Sequence, residues 1–396
     1  MIKIYKSFSK SIIAQGLKWG LLSILLTACT IKPEATIPKD KSLFPSYQIG
    51  TRSFVLEDTT RVDPDYGANR LINIQVWYPA DLSDGTFYPL APYYLGLEKA
   101  YSTLNHWSEL EYQQVALIAS KAFHNAPILP PTEERRPLVL FSPSLGGNLS
   151  QYAYYAEYLS QKGYIVVGVN HQYESEFVIN QKDHIIPANH FIHDSLRTLD
   201  IPQQITADEY RLAKGPRQKI LGEDLIFCLN QMELNAQLEL KNQVDWEKVG
   251  VFGHSIGGAA AVYASLLDER FKAVLNIDGT PPSIALEQGM NVPFMFIEDL
   301  VDYENHVGYG KLHLRRNSLC EKNSRDAFRI MLAGTNHNSF LDIHYNLATL
   351  PAERTNALKV ISTTATYMES FFNAYLADKA LDLKPQKSDT LEVHIY

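Results

Sequence analysis

Cysteine is scarce in this chain: three of 396 residues, at positions 29, 228 and 320. That number builds no disulfide framework, and no C-x-x-C pair is present to hold a metal or run redox chemistry. Long apolar runs are missing too. Beyond the first 28 residues no stretch approaches the roughly 18 apolar residues that a spanning helix needs. A basic excess is also missing, because 36 Lys and Arg stand against 44 Asp and Glu for a net charge of −8. A nucleic-acid partner is therefore disfavoured. No internal repeat is found. What is present is 45% apolar, 11% aromatic and 20% charged residues, the composition of a globular protein with a sizeable core and not of a disordered, collagenous or coiled-coil chain.

Acids are absent from the first 28 positions, where Lys3, Lys6, Lys10 and Lys18 precede an apolar stretch from Trp19 to Ala28. This is the layout of a secretory signal, and ten residues are too few to cross about 30 Å of hydrocarbon. The stretch closes on Leu26-Thr27-Ala28-Cys29, which resembles a bacterial lipobox. Small residues fit the signal peptidase, and the Cys29 thiol would receive diacylglycerol before cleavage. Residues 1–28 are thus expected to be a lipoprotein signal peptide. Residues 29–45, with three prolines and mixed charge, read as a tether after lipidated Cys29. Loss of the four signal lysines would take the net charge from −8 to −12. The expected location is the bacterial cell envelope, lipid-anchored, at the outer membrane or surface because Thr30 replaces the aspartate that retains many such proteins at the inner membrane. Cys228 lies in an amphipathic pattern with Leu225, Leu229 and Met232, so a buried free thiol is expected there.

Apolar and polar residues alternate through Ile72, Ile74, Val76 and Tyr78, as in a strand with one buried face. Continuous apolar runs follow at Leu138–Phe141, Tyr164–Val169, Val249–Phe252, Ala273–Ile277, Pro293–Ile297 and Phe328–Ala333. Runs of four to six without alternation suit strands covered on both faces, hence a parallel sheet with helices on each side. Tyr152–Gln161, Asp224–Asn235 and Gly257–Leu267 are the expected helices, with Ile361, Ala365, Met368 and Phe372 at helical spacing near the end. One doubly wound α/β domain over 46–380, followed by a C-terminal tail at 381–396, is the expected organisation. The long segments Leu82–Arg136 and Gln172–Arg217 read as insertions over the C-terminal edge of the sheet, where open α/β folds place their ligands.

After the strand at 249–252 comes Gly253-His254-Ser255-Ile256-Gly257-Gly258 and then a helix opened by three alanines. The G-x-S-x-G pattern alone is weak. Between a strand and a helix it describes a turn so tight that side chains at both glycines would clash, leaving the Ser255 hydroxyl exposed on a strained elbow. Serine needs a base within hydrogen-bond reach, itself oriented by a carboxylate. Of His306, His313, His337, His344 and His394, only His337 sits in a short loop directly after a late strand. For the acid, Asp278 ends the strand at 273–277, while Glu298, Asp299 and Asp302 follow the next one. Composition leaves these four open.

These residues resemble a known family, the plasma-type (group VII) platelet-activating factor acetylhydrolases and their bacterial relatives, within the α/β-hydrolases. The resemblance runs from about Ile72 to Tyr375, through Trp77-Tyr78-Pro79, Phe141-Ser142 with Leu145-Gly146, the Gly-His-Ser elbow, Asp278 and His337. It implies an α/β-hydrolase fold with a mostly parallel central sheet, an acid directly after the strand that follows the elbow, and hence the triad Ser255, Asp278 and His337. It also implies an oxyanion hole from the backbone N–H groups of Leu145 and Ile256. The start of that loop departs from the family: mammalian members carry His-Gly-Leu-Gly where this chain has Pro143-Ser144-Leu145-Gly146.

The expected activity is serine ester hydrolysis on lipid esters through an acyl-enzyme, the resemblance implying short or oxidised sn-2 acyl phospholipids. A broader carboxylesterase or polyester hydrolase of the same fold is the alternative, since pocket shape and not the triad selects the substrate. A catalytically dead surface binding module is a further one. No cofactor is expected. No metal is expected either, although Asp183, His184, His190, His193 and Asp194 are ligand-type residues close in sequence. The tyrosines at 93, 94, 152, 154 and 155 suit either a lipid interface at the mouth or packing of the insertions.

Overall fold

The computed structural model describes residues 47–64, 66–104, 107–131, 135–189, 207–300, 307–381 and 383–396. The expected signal peptide, Cys29 and tether lie outside the described residues.

Six strands form the parallel heart of a twelve-stranded sheet: β5 (Arg136–Ser142), β6 (Ile165–His171), β9 (Val244–His254), β10 (Phe271–Ile277), β11 (Phe294–Asp299) and β12 (Ala327–Leu332). Their order is β6-β5-β9-β10-β11-β12. Each apolar run of the sequence coincides with one of them, Tyr164, Pro293 and Ala333 falling one residue outside. Successive residues feed opposite faces: Leu138 and Leu140 pack into one core layer, Val139 and Phe141 into the other. The antiparallel β2 (Asn69–Pro79) pairs with β6, and β1 (Ile49–Val62) pairs with β2.

Helices cover both faces. The first layer holds α4 (Ala207–Leu234) and α5 (Ile256–Leu267), with α6 (Ser283–Gln288) and α7 (Val307–Lys322) at its side. The second holds α3 (Ala153–Gln161) and α9 (Pro351–Leu376), with the short α8 (Ile343–Leu347) just before it. In α9 the buried residues Ile361, Ala365, Met368 and Phe372 recur at steps of four and three, so one stripe seats on the sheet. Helix α4 starts well before the expected Asp224, running through Gly215 and Pro216. Those two residues mask the periodicity of its first half.

Two expectations are corrected. Residues 381–396 are no tail: β14 (Leu391–Ile395) pairs antiparallel with β12 and β13 (Gln386–Lys387) pairs with β14, so the sheet gains an edge from the last residues of the chain. The segment 82–136 lies only partly over the C-terminal edge. It contributes β3 (Leu90–Pro92) and β4 (Ala119–His124) to the far side of the sheet, where β4 runs parallel to β1. Its helices α1 (Leu97–Leu104) and α2 (Glu109–Ala116) do belong to a small apolar cluster with Phe177, Ile179 and Ile185 of the second insertion, whose hairpin is β7 (Phe177–Ile179) and β8 (Ile185–Pro187). Tyr93 and Tyr94 are buried in that cluster, and Tyr152 and Tyr155 are buried against the sheet. Packing accounts for these four rings. Cys228 and Cys320 are buried free thiols.

Candidate active site

The parallel register sets the site. Ile277 of β10 stands opposite His254 of β9, so the next residues, Asp278 and Ser255, leave the sheet at one level on neighbouring strands. Two further backbone bonds extend the ladder past the strand ends, Ser255 N–H to Ile277 C=O at 2.9 Å and Asp278 N–H to Ile297 C=O at 2.9 Å.

Ser255 has φ 58° and ψ −123°, a conformation that L-residues rarely adopt and that costs on the order of 1–3 kcal/mol. The flanking glycines make it possible. A Cβ on Gly253 would lie 2.2 Å from the Gly257 carbonyl oxygen, and one on Gly257 would lie 2.2 Å from the Ser142 carbonyl oxygen. The turn therefore packs backbone against backbone, and helix α5 starts at once with Ile256.

His337 follows β12, in a loop tied by Asn336 N–H to Ser339 Oγ (3.0 Å) and Thr335 Oγ1 to the Leu332 carbonyl (2.7 Å). Its Nε2 is 2.9 Å from Ser255 Oγ, and its Nδ1 is 2.5 Å from Asp278 Oδ2. A carboxylate only accepts, so Nδ1 carries the proton and the Nε2 lone pair faces the serine. The imidazole is about half exposed, while Asp278 is buried. Among the described residues, His313, His344 and His394 make no bond to Ser255 or Asp278. His313 bonds Asn317 and Arg329, and His394 bonds Glu392. His306 and Asp302 lie outside the described residues.

A pair of arginines separates the acids. Arg316 Nη2 donates to Asp278 Oδ1 at 3.0 Å, and its Nη1 donates to Glu298. Arg329 Nε reaches the other Glu298 oxygen at 2.6 Å. Burial opposes charge on Asp278, yet Arg316 and then His337 outweigh it and hold the carboxyl down at about 2. Glu298, also buried, is kept ionised in the same way by Arg316 and Arg329. Asp299 goes the other way: burial, followed by the charge of Asp278, pushes it up to about 7. One carboxylate is thus charged and bonded to His337, one is consumed by arginines, and one favours its proton.

The preceding loop carries Leu145. Ser144 N–H donates to Tyr152 Oη (3.1 Å), Gly146 N–H to the Glu174 carbonyl (2.7 Å) and Gly147 N–H to the Ser144 carbonyl (2.8 Å). Among the described residues no acceptor stands on the N–H groups of Leu145 and Ile256. Backbone amides left open beside a nucleophile can stabilise an oxyanion.

His254, inside the elbow motif, has a connecting part that its sequence position did not reveal. Its Nε2–H donates to the His337 carbonyl at 2.8 Å, and its Nδ1 accepts from Tyr152 Oη–H at 2.9 Å. Burial first, and then His337, lower it to about 3, so it stays neutral and joins the loop of Ser144 to the loop of His337. Sequence reasoning also missed Arg316, which sits mid-helix without a motif. Asp183 and His184 lie in the β7–β8 turn, where Asp183 pairs with Lys99. His190, His193 and Asp194 lie outside the described residues.

The family described as platelet-activating factor acetylhydrolase, isoform II, matches residues 35–198 and 219–369. Platelet-activating factor acetylhydrolase of Canis lupus familiaris is 24% identical over 343 residues, covering 82% of this chain and 72% of that protein. A probable 1-alkyl-2-acetylglycerophosphocholine esterase of Arthroderma benhamiae is 27% identical over 145 residues, 36% of this chain and 31% of that one. Among solved structures, a ferulic acid esterase from Streptomyces cinnamoneus superposes with a TM-score of 0.68 at 23% identity, over 89% of this chain and 98% of that chain. At that identity it speaks for the fold alone.

Proposed function

The chain belongs to the platelet-activating factor acetylhydrolase isoform II family, and from that premise we propose that it is a serine carboxylic ester hydrolase acting on lipid esters, with Ser255 as nucleophile, His337 as base and Asp278 as the acid that orients it. The observation that carries the roles is the unbroken line from Asp278 Oδ2 through His337 to Ser255 Oγ, laid beside the open amides of Leu145 and Ile256.

The steps follow from the geometry. Ser255 Oγ attacks the ester carbonyl carbon while its proton passes to His337 Nε2. The negative charge forming on the carbonyl oxygen is met by the Leu145 and Ile256 N–H groups. Collapse breaks the ester C–O bond, and His337 returns the proton to the leaving alcohol. Water then repeats the sequence on the acyl-serine with His337 again as base, releasing the acid and restoring Ser255. Ionised Asp278 stabilises the imidazolium formed in each half.

For the finer substrate class we propose phospholipids with short or oxidised sn-2 acyl groups. The test offers purified protein phospholipids with acetyl, butyryl and long sn-2 chains beside p-nitrophenyl esters. Acetyl and butyryl should be cleaved far faster than long chains. Equal rates on all, or cleavage of the p-nitrophenyl esters alone, would replace this reading with that of a broad carboxylesterase. We further propose that Cys29 is lipidated and holds the enzyme in the bacterial envelope, a reading supported by Leu26-Thr27-Ala28-Cys29 after a lysine-led apolar stretch. Cys29→Ser should leave an unprocessed precursor that takes up no labelled palmitate.

A further inference from the structure

Behind the loop that carries Leu145 lies a second Ser–His–Asp array, fully buried. Ser142, the last residue of β5, has its Oγ 2.9 Å from His171 Nε2, and His171 Nδ1 is 2.9 Å from Asp224 Oδ2. All three are within 1% of complete burial, so no substrate reaches this serine. Charge on Asp224 is opposed by burial but secured by Arg70, with His171 and Arg61 adding to it, and the carboxyl is held far below its ordinary range. The ionised acceptor keeps the proton on Nδ1, and Nε2 accepts from the Ser142 hydroxyl.

Arg70 ties this array to the other end of the same loop. Besides Asp224 Oδ2 (2.6 Å) it donates to Asp63 (2.8 Å), to the Gln172 carbonyl (2.8 Å) and to Glu174 Oε2 (3.0 Å). Arg217 binds the same Asp63 and Glu174. The Glu174 carbonyl in turn accepts the Gly146 N–H at 2.7 Å. One buried ion lattice therefore grips the residue three before Leu145 by its side chain and the residue after it by its amide. The Ser142 and Pro143 carbonyls lie where a Cβ on Gly257 would meet them at 2.2 and 2.4 Å, so the position of Ser142 also sets the spacing between the loop of Leu145 and the turn of Ile256.

We propose that Ser142, His171 and Asp224, backed by the Arg70 lattice, are positioning residues that hold the Leu145 amide at the distance from Ile256 that an oxyanion requires. The proposal rests on the esterase reading of Ser255. Buried polar arrays that are fully satisfied rigidify what they hold, and a displacement near 1 Å in a catalytic constellation costs on the order of 10²-fold in rate.

The test uses the full chain in detergent, with competent sites counted by fluorophosphonate titration of Ser255. Ser142→Ala should lower kcat per titrated site roughly ten- to hundredfold, with KM on p-nitrophenyl acetate within about twofold. A trifluoromethyl ketone, whose adduct places an oxyanion against both amides, should lose affinity by a similar factor. In the double variant Ser142→Ala with His171→Leu, the Ser142–His171 bond loses both partners, while Asp224 gives up one bond and keeps Arg70 and Arg61. It should regain part of the melting temperature lost in Ser142→Ala but none of the kcat. Unchanged kcat per site and inhibitor affinity in Ser142→Ala would overturn the proposal. So would a double variant in which kcat returns together with stability, because the array would then serve folding alone. A wild-type protein that neither cleaves esters nor takes the fluorophosphonate would instead overturn the esterase reading itself.

Discussion

At the scale of single residues the candidate acids differ in what surrounds each carboxylate. Asp278, Glu298 and Asp299 lie within a strand's width of one another, yet only Asp278 contacts the His337 ring. Replacing it with Asn removes the charge that stabilises the imidazolium and allows the wrong tautomer. Asp278→Asn should lower kcat on a short-chain ester by about 10³ to 10⁴. Asp299→Asn should cost less than about tenfold, because Asp299 lies off the line from Asp278 to Ser255 and is already about half neutral near pH 7. Reversal of those two outcomes, measured as kcat on one ester, would move the acid to the end of β11. Gly257 is the second critical residue. A methyl there meets the Ser142 carbonyl at 2.2 Å, and neither backbone can yield without parting the elbow from the loop of Leu145. Gly257→Ala should destabilise the fold by about 1–3 kcal/mol and cost at least about 100-fold in kcat. Denaturant melts and kcat on the same sample separate the two effects, and near-normal turnover would mean that the elbow tolerates the shift.

At the scale of elements, the insertion that carries Tyr93 and Tyr94 is docked through carboxyl groups that titrate near neutrality. Tyr94 Oη and Trp107 Nε1 donate to Glu176, the indole at 3.2 Å. Burial pushes Glu176 up to about 8, against about 4.3 in an unfolded chain. The folded state then holds a proton that the unfolded state has lost. Stability contributed by this group is fully present below about pH 4.3, falls as pH rises toward 8 by at most about 1.4 kcal/mol per pH unit, and is flat above. Glu176→Gln should remove that slope. Hydrogen exchange of residues 90–118 at pH 6 and pH 8 checks it, and an equal slope in both proteins would refute the assignment. Elements such as these were the hardest to read from sequence. The six parallel strands announce themselves as unbroken apolar runs because both faces are covered, and the elbow announces itself because only glycine fits beside Ser255. In contrast β4 reads Ala-Ser-Lys-Ala-Phe-His, with polar and small residues between β1 and the short edge strand β3, and β14 mixes Glu and His into five residues. Neither has a burial pattern until its neighbour is in place. The Arg316 clamp and the Ser142 array are hidden for a related reason: partners 38 residues apart in the one, and 29 and 53 in the other, leave no local spacing to notice.

At the scale of the whole molecule, the chain enters and the chemistry occurs at opposite poles. Tyr47, the first described residue, donates its N–H to the Gln161 carbonyl at the end of α3, and the Arg136 guanidinium at the start of β5 lies 5.9 Å from its ring centroid. Ser142, Ser255 and Asp278 mark the other ends of the strands. A globule of roughly 350 residues has a radius of gyration near 20 Å, so it measures about 50 Å across. If residues 29–46 serve as the tether of the proposed anchor, a chain of that length reaches at most about 60 Å and averages about 23 Å when flexible. If Cys29 carries the lipid, the mouth faces away from its own membrane unless the tether is drawn almost taut around the domain. Anchored enzyme should therefore cleave dispersed short-chain esters as fast as protein beginning after Cys29, while its attack on lipids of the same vesicle depends on tether length. Deleting the ten residues Ile31 to Asp40 should leave the first rate unchanged and lower the second severalfold. Proteoliposomes loaded with a fluorogenic sn-2 ester, compared with a micellar ester for both tether lengths, give the two rates. Equal rates on the vesicle lipid would mean that the domain reaches its membrane by another path, and that this pole-to-pole arrangement places no limit on its substrate.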